Sequence, residues 1–362
     1  MRVSACICIS REKYRANASS ILTSDKGRKA LSADKYRRAR DALATAVTET
    51  PSMEMITPLG PYLNDIRGGD TQTTQIMSIV NMTPDSFSDG GERNISNREA
   101  FSAFVESQIA AGATILDIGG QSSRPGAPDV TSEEELSRIL PAIEIIKSLP
   151  CATKVAISVD TYRAAVAEAA IGAGAHIVND ISAGSMDPEM LSTIARLGCT
   201  YVMMHMRGTP ATMMSDENCT YGGSDWSLIR TIGEELRKRI KAAEAAGIRR
   251  WRIILDPGIG FSKTTDQSLN VLKHFGSLRK LTGVSSHAWL VGSSRKSFIG
   301  KVTEIAEPKD RIWGTAATIT PAIWGGARII RVHDVAEMAT VAKMSDAIIN
   351  ASIPQQGGRF SR

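Results

Sequence analysis

Short apolar runs alternate with longer amphipathic stretches along the chain from residue 75 onwards. The first run, Ile76–Asn81, is mostly apolar and ends where a polar loop containing Pro84 and Gly90 begins. Consecutive apolar and β-branched residues are typical of a strand that is buried on both faces. The later runs of this kind are Thr114–Ile118, Lys154–Val159, His176–Val178, Thr200–His205, Trp251–Leu255, Ala288–Val291 and Arg328–Val332. Together they predict eight strands.

The stretches between these runs have the periodicity of amphipathic helices. In Asn97–Ala111 the apolar residues on one helical face are Phe101, Phe104, Val105 and Ile109. In Leu228–Ala243 they are Leu228, Ile232, Leu236 and Ile240. The sequence therefore predicts a helix after each strand.

Local signals predict how some of these helices begin and which charges pair on them. Ser132 with Glu135 forms a capping box, and Asp334 is expected to cap the last helix. Opposite charges four residues apart, which stabilise a helix, occur at Glu234–Lys238 and Glu235–Arg239.

Eightfold alternation of strand and helix predicts an α/β fold of the parallel (β/α)8 TIM-barrel type, which typically needs about 250 residues. Residues 75–352 match that size. An open, doubly wound sheet is the alternative, because the pattern alone does not show that the sheet closes. Residues 1–74 do not fit the barrel and are expected to form an N-terminal extension or linker, and 353–362 a flexible tail.

Composition narrows the class of protein. Hydrophobic residues make up 42% of the 362, which is enough for a large core. No apolar run is long enough to cross a bilayer. The net charge of +5 is spread along the chain, which argues against nucleic acid as a partner. Five scattered cysteines without a CxxC pair indicate a reducing compartment and no structural zinc.

The first 74 residues are rich in lysine and arginine. Arg2 precedes a short apolar run, Val3–Ile9, but no signal-cleavage pattern follows. A mitochondrial transit peptide is the alternative, although Glu12, Asp25 and Asp34 argue against it. A cytoplasmic protein with a flexible extension, or with the remnant of an upstream domain, is the favoured interpretation.

Polar residues stand at the carboxyl ends of the predicted strands, where barrels of this type carry their chemistry. A single acid at a strand end is as readily a helix cap as a ligand. Acids and amides at five or more ends would converge on one rim and form a ligand pocket. The residues concerned are Asn81, Asp117, Asp160, Asn179, Asp180, His205, Arg207, Asp256, Lys296, Arg331, His333 and Asp334.

The charges divide this rim into two halves. Asp160, Asn179 and Asp256 suit a planar heterocycle that presents N–H groups and ring nitrogens. The opposite half carries donors for phosphate or pyrophosphate, supplemented by amides of the helix after strand seven; the donors are Lys296, Arg331 and His333.

Two further residues of the rim need separate interpretations. Asn81 is expected to bind Mg²⁺, because magnesium takes one or two protein oxygens together with phosphate oxygens. His205 lies on an apolar strand and is expected to be a satisfied core residue, because nothing in the sequence pairs it with a nucleophile.

Eight segments, in this order, resemble the motifs of dihydropteroate synthase. They are NMTPDSFSDGG, DIGGQSSRPGA, SVDT, VNDIS, MHMRGTP, DPGIGF, GSSRKSFIG and RVHDV. The resemblance covers residues 75–350 and none of residues 1–70. In two positions the chain departs from the family, which commonly has Glu and Thr where this chain has Gln121 and Ser123.

The resemblance implies a transferase that condenses 6-hydroxymethyl-7,8-dihydropterin pyrophosphate with 4-aminobenzoate in folate biosynthesis. It assigns the pterin to Asp160, Asn179, Asp256, Phe261 and Lys296, and the pyrophosphate to Asn81 with Mg²⁺, Arg331 and His333. It gives catalytic roles to Asp160, Asp256, Lys296 and Arg331. The aminobenzoate side and the closing loops would involve Asp85, Phe87, Ser122, Ser123, Arg124, Pro125, Ser294 and Ser297.

The family also implies a homodimer, sulfonamide sensitivity and derivation from a multifunctional folate-synthesis chain. Two alternatives remain open from the residues. One is a methyltetrahydrofolate-binding methyltransferase of the same fold, which would not need the GSSRKSFIG or SSRPG segments. The other is a pterin-binding module without catalysis.

Overall fold

Eight parallel strands form a closed barrel in which each strand pairs with the next and β8 pairs with β1. The computed structural model describes residues 73–82, 97–122, 129–281 and 287–351. The strands are β1 Gln75–Asn81, β2 Ile115–Gly119, β3 Ala156–Asp160, β4 Ile177–Asp180, β5 Thr200–Met204, β6 Ile253–Asp256, β7 Ala288–Val291 and β8 Ile329–Val332. Closure confirms the predicted (β/α)8 barrel and excludes the open sheet.

Helices connect the strands. In the described ranges they are α1 Arg98–Ala110, α2 Ser132–Ser148, α3 Ala164–Ala173, α4 Met190–Leu197, α5 Asp225–Ala245, α6 Thr265–Lys273, α7 Phe275–Leu281, α8 Ser297–Thr303, α9 Ile312–Trp324 and α10 Val335–Asn350. Two helices follow β6 and two follow β7. Within these ranges, none of the helices has the length and hydropathy needed to span a membrane.

Predicted and observed strands differ by a few residues at their ends. The third run was expected to begin at Lys154, but Pro150–Lys154 forms a 3₁₀ helix and β3 begins at Ala156. The helix ends with an extended residue, Val155, whose amide bonds to Ala152 O at 3.2 Å. Proline at the first helical position fits this turn, because its missing N–H has no partner to lose there.

A layer of apolar side chains, one from each strand, closes the inside of the barrel. Its members are Met77, Ile115, Ala156, Ile177, Val202, Ile254, Leu290 and Ile329. Side chains in a strand alternate between faces, so residues two and four positions later point into the same interior. The larger apolar cluster lies between the strands and the helices.

The polar residues at the strand ends lie an even number of residues after the members of this layer, so their side chains point to the same interior face. Asp117 lies two residues after Ile115, and Arg331 lies two residues after Ile329. Asn179 and Asp256 have the same spacing on β4 and β6, whereas Asn81 and Asp160 lie four residues after their layer members. The position of this apolar layer therefore determines which strand-end side chains point into the barrel.

Three local predictions about the helices are wrong. Thr131, not Ser132, caps α2: its extended backbone lets its hydroxyl accept from Glu134 N at 3.2 Å. Asp334 does occupy the predicted N-cap position of α10, but its side chain makes no capping bond because its carboxylate pairs with Arg295. Glu235 does not pair with its helical neighbour four residues later, because it bonds to groups of the barrel described below.

Candidate active site

Arg331 crosses the top of the barrel and joins acids from two other strands. Its Nε donates to Asp117 Oδ2 at 2.6 Å, and its Nη2 donates to Asp160 Oδ2 at 2.7 Å. Asp117 Oδ2 also accepts from Asn179 Nδ2 at 3.0 Å. Four residues from β2, β3, β4 and β8 therefore form one hydrogen-bonded group on the floor of the pocket.

This group is buried, and burial dominates its electrostatics. The Asp117 side chain is fully buried, and Arg331 keeps 20% of its side chain exposed. Burial raises the pKa of Asp160 to about 7, and the Arg331 guanidinium opposes that rise. Two carboxylates therefore share one guanidinium, and burial works against the charge of Asp160.

A second group forms where β6 and β7 end. Asp256 Oδ1 accepts from Gly258 N at 2.7 Å, which anchors the turn that follows the strand. Lys296 Nζ donates to Ile259 O and lies 4.5 Å from the centre of the Phe261 ring. Burial lowers the pKa of Lys296 to about 8, and the Asp256 carboxylate opposes that change. An acid, an ammonium and an aromatic face thus converge on one side of the pocket.

The predicted anion side lies at the ends of β7 and β8. His333 N donates to Ser294 Oγ at 3.2 Å, and His333 Nδ1 lies 3.0 Å from the same oxygen. Ser294 is buried, whereas Ser297 is exposed at the start of the seven-residue helix α8. Ser294 therefore fixes the orientation of the imidazole next to Arg331.

Asn81 presents the oxygen expected for magnesium. A Cβ atom added to Gly119 would lie 3.7 Å from Asn81 Oδ1 and 3.8 Å from Asp160 Oδ2. The two oxygens thus flank the same glycine at the end of β2. In the described ranges no three His, Cys, Asp or Glu side chains could together hold a metal. The donor set fits Mg²⁺ that arrives with phosphate oxygens and not a metal in a cage of protein ligands.

Gln121 lies where β2 leaves the barrel. Its Nε2 donates to Asp129 Oδ1 at 2.8 Å and to the Tyr162 hydroxyl at 2.6 Å, and its Oε1 accepts from Arg163. The Arg163 guanidinium also bonds to Asp129 at 2.7 Å and to Glu135. A glutamine can both donate and accept in this network, which a glutamate could not.

The structure brings together most of the predicted site residues. Those that meet at the rim are Asn81, Asp160, Asn179, Asp256, Phe261, Ser294, Lys296, Arg331 and His333. Ser122 is half-buried just after β2. The predicted residues that lie outside the described ranges are Asp85, Phe87, Ser123, Arg124 and Pro125.

Sequence reasoning gave no role to three residues that the structure links to the site. Asp117 was noted as a strand end only, although its spacing from Ile115 was a usable signal. Lys263 and Glu235 had no such signal, because one lies in an irregular loop and the other on an outer helix.

Known proteins share both the sequence pattern and the fold. A family model described as pterin binding enzyme matches residues 77–333. The chain belongs to the pterin-binding enzyme family. A dihydropteroate synthase of Synechocystis is 45% identical over 76% of this chain and 90% of its own length. The resemblance noted in the motifs is therefore confirmed.

Several relatives are much longer than the region that matches this chain. A folic acid synthesis protein of Pneumocystis carinii is 50% identical over 76% of this chain but only 36% of its own length. A mitochondrial folate synthesis bifunctional protein of Arabidopsis thaliana is 42% identical, over 82% of this chain and 53% of its own. The chain thus spans about a third to a half of these relatives.

Solved structures of the family have the same fold. A Yersinia pestis dihydropteroate synthase in complex with a sulfonamide drug is 37% identical, with a TM-score of 0.69, over 77% of this chain and 95% of that one. A Xanthomonas albilineans dihydropteroate synthase in complex with 7,8-dihydropteroate is 34% identical with a TM-score of 0.65, over 77% and 95%.

Proposed function

We propose that this chain is a dihydropteroate synthase, a transferase that joins 6-hydroxymethyl-7,8-dihydropterin pyrophosphate to 4-aminobenzoate and releases pyrophosphate. The observation that carries the proposal is the shared rim, where Arg331 bridges Asp117 and Asp160 while Asp256 and Lys296 face the same pocket. Complexes of related synthases with a sulfonamide and with 7,8-dihydropteroate support it.

The acidic half of the rim is proposed to hold the pterin. Asp160, Asn179 and Asp256 can match the N–H groups and the ring nitrogens of the bicycle, and Lys296 can donate to its oxygen or nitrogen acceptors. The Phe261 ring, which already lies against Lys296 Nζ, offers an apolar face. An analogue that lacks one N–H of the ring would leave one of these polar groups without a partner, so it should bind more weakly.

The other half is proposed to hold the pyrophosphate. Arg331 and His333 supply donors that can follow the negative charge as the C–O bond breaks. Asn81 would hold Mg²⁺ that the diphosphate brings, and the ion would neutralise part of the leaving group's charge. The free pyrophosphate is the product that this half of the site must stabilise.

The reaction itself needs little covalent help from the protein. The amino nitrogen of aminobenzoate forms the new bond to the pterin methylene carbon while the carbon–oxygen bond to pyrophosphate breaks, and the nitrogen then loses one proton. Carboxylates around the ring, chiefly Asp160 and Asp256, stabilise positive charge that develops on the pterin as the leaving group departs. An arylamine is already nucleophilic, so no serine or cysteine nucleophile is required.

The aminobenzoate side is proposed to involve Ser122, Ser294 and Ser297 at the rim. Ser294 already bonds to His333, so it links this side to the anion side. The remaining residues assigned to it by the resemblance, Asp85, Phe87, Ser123, Arg124 and Pro125, lie outside the described ranges. Their roles stay part of the proposal.

We further propose that residues 75–352 form the catalytic domain. The Thr74 amide and hydroxyl bond to both carboxylate oxygens of Asp346 on α10 at 2.7 and 2.8 Å, which ties the start of the barrel to its last helix. Residues 1–74 would be an extension of a chain related to multifunctional folate-synthesis proteins, two of which carry "mitochondrial" in their names. A cytoplasmic homodimer is proposed, with mitochondria as the alternative location.

Pyrophosphate release in the presence of both substrates and Mg²⁺ tests the activity. The Asp256→Asn variant should lose nearly all turnover, whereas the control Asp216→Asn changes an exposed acid and should keep it. Methyl transfer from methyltetrahydrofolate without pyrophosphate release would favour the methyltransferase. Binding of the pterin with no product from the parent chain would favour a non-catalytic module.

A further inference from the structure

Lys263 is a fully buried lysine that the proposed reaction does not use. It lies in the loop between β6 and α6 and keeps 2% of its surface exposed. Its Nζ lies 3.1 Å from Gly258 O, 3.0 Å from Phe261 O and 3.0 Å from His205 Nδ1. Burial lowers the pKa of Lys263 to about 7, and the Asp256 carboxylate opposes that change. In its protonated form the group has three N–H donors and no acceptor. Each of the three donors therefore has one acceptor.

His205 and Glu235 fix the state of the third acceptor. His205 Nε2 lies 2.8 Å from Glu235 Oε2, and Arg207 Nη2 donates to Glu235 Oε1 at 2.6 Å. An ionised carboxylate only accepts, so the proton of the neutral imidazole must be on Nε2. Burial lowers the pKa of His205 to about 4, which keeps the ring neutral near pH 7. Nδ1 is consequently a bare acceptor aimed at Lys263.

The loop that Lys263 binds has an unusual backbone. Gly258, Gly260 and Ser262 have φ values of +68°, +77° and +45°. Such left-handed residues are costly when they carry a side chain, and buried carbonyl groups without partners are costly as well. Lys263 Nζ supplies a partner for the Phe261 carbonyl and a second partner for the Gly258 carbonyl, which also accepts from Phe261 N at 3.1 Å. The loop therefore curls around its own lysine.

Two functional groups depend on the geometry of this loop. Gly258 N donates to Asp256 Oδ1 at 2.7 Å, so the turn orients the carboxylate. The Phe261 carbonyl accepts from Lys263 while the Phe261 ring lies against Lys296 Nζ. The Asp256 carboxylate and the Phe261 ring are thus attached to one short segment, residues 256–263.

We propose that Lys263 is a positioning residue for the pterin half of the site, and that Glu235 acts through His205 to keep its third hydrogen bond. Lys263 touches no substrate; it holds Asp256 and Phe261 at the distances that the flat ring requires. The inference rests on the proposed function for the identity of the ligand. The hydrogen-bond chain itself does not depend on that identity.

Two variants of His205 separate its hydrogen bond to Lys263 from its hydrogen bond to Glu235. Asparagine places its amide near the position of Nδ1 and can still accept from Lys263, whereas glutamine reaches toward Glu235 and leaves Lys263 without that acceptor. Lys263→Met removes all three bonds at similar length. Glu234→Gln, an exposed neighbour of Glu235, is the matched control.

Hydrogen–deuterium exchange of residues 257–263 is the first measurement, made on the full-length chain. Lys263→Met and His205→Gln should exchange about tenfold faster there or more, as expected when bonds from a charged donor are lost. His205→Asn and Glu234→Gln should match the parent. The second measurement is calorimetric binding of 6-hydroxymethylpterin, whose Kd should rise by about 10- to 100-fold in the first two variants.

The outcomes distinguish the inference from the proposed function. Pyrophosphate with Mg²⁺ should bind all four folded variants within about twofold of the parent, because its proposed ligands lie on β1 and β8. Unchanged exchange in residues 257–263 of Lys263→Met would overturn the positioning role, whatever the parent catalyses. Equal effects of His205→Asn and His205→Gln would overturn the part given to the third hydrogen bond of Lys263. A parent without synthase activity would refute the proposed function and leave the exchange comparison valid.

Discussion

Replacing Asp117 by asparagine tests the central ion-pair group. Asp117 Oδ2 accepts from Arg331 Nε at 2.6 Å and from Asn179 Nδ2 at 3.0 Å, and the side chain is fully buried. Asparagine keeps the shape but has one oxygen, one NH₂ group and no charge. Its oxygen can still accept from both donors at the position of Oδ2, and its NH₂ group then takes the place of Oδ1, for which the described residues provide no hydrogen-bond partner. The substitution therefore removes mainly the charge.

The expected magnitude follows from what Asp117 holds. Breaking a fully buried ion pair costs about 3–5 kcal/mol. Arg331 keeps Asp160 as a partner at 2.7 Å and is partly exposed, so a loss of about 2–3 kcal/mol in unfolding free energy is expected. Urea unfolding measures it, with the exposed Asp216→Asn variant as control.

The same substitution should change binding of the two ligands in opposite directions. Losing one negative charge next to Arg331 favours an anion by roughly 2 kcal/mol for a separation of about 8 Å at an effective dielectric constant of about 20, so pyrophosphate with Mg²⁺ should bind about 30-fold more tightly. Asn179 then donates to a neutral amide oxygen in place of a carboxylate, so its anchor is weaker and 6-hydroxymethylpterin should bind about five- to tenfold more weakly. Calorimetry gives both constants. If both affinities change in the same direction, the charge of Asp117 does not have opposite effects on the two ligands and the reasoning is refuted.

Three further predictions address the reaction, the β6 turn and the pH dependence. Asp256→Asn and Lys296→Ala should each lower the rate of pyrophosphate release about 100-fold or more, and near-normal rates in both would mean that the site is misassigned. Gly258→Ala should be much less stable than Gly198→Ala, because both have positive φ but only the Cβ at residue 258 would lie 2.0 Å from a backbone oxygen; equal urea midpoints would contradict this. Burial holds the pKa of His205 at about 4, below the 6.5 of an unfolded chain, so the unfolded state binds the extra proton between these values. Stability should then fall as pH drops from 6.5 to 4, by at most about 1.4 kcal/mol per pH unit, and this contribution should be absent in His205→Asn.

The barrel and most of its rim could be predicted because they depend on local repetition. Eight apolar runs give eight strands, and strand alternation places every second residue on the same face. Once Ile115 and Ile329 are known to be interior, Asp117 and Arg331 must be interior as well. The sequence did not reveal which of these interior charges touch each other, because such contacts link residues as far apart as 117 and 331.

Long-range contacts also explain the predictions that were wrong. Glu235 and Arg239 have the spacing of a helical ion pair, worth about 0.2–0.5 kcal/mol on an isolated helix. In the folded chain Glu235 bonds to His205 and Arg207, while Arg239 donates to Ala183 O at 2.9 Å. Bonds to partly buried and charged groups are worth more than the exposed pair, so tertiary structure decides the pairing.

Under the proposed function, Arg331 would couple the binding of the two halves of the pterin substrate. Its guanidinium is shared by the carboxylates of Asp117 and Asp160. An arriving pyrophosphate would compete for the same N–H groups. Asp160 keeps 12% of its side chain exposed and Asp117 none, so Asp160 is the carboxylate nearer to an arriving ligand. Asp160 released in this way needs a new donor, which an N–H of the pterin supplies. Binding of the anion and recognition of the ring are then coupled through one guanidinium, because the bond that one ligand breaks creates the acceptor that the other requires.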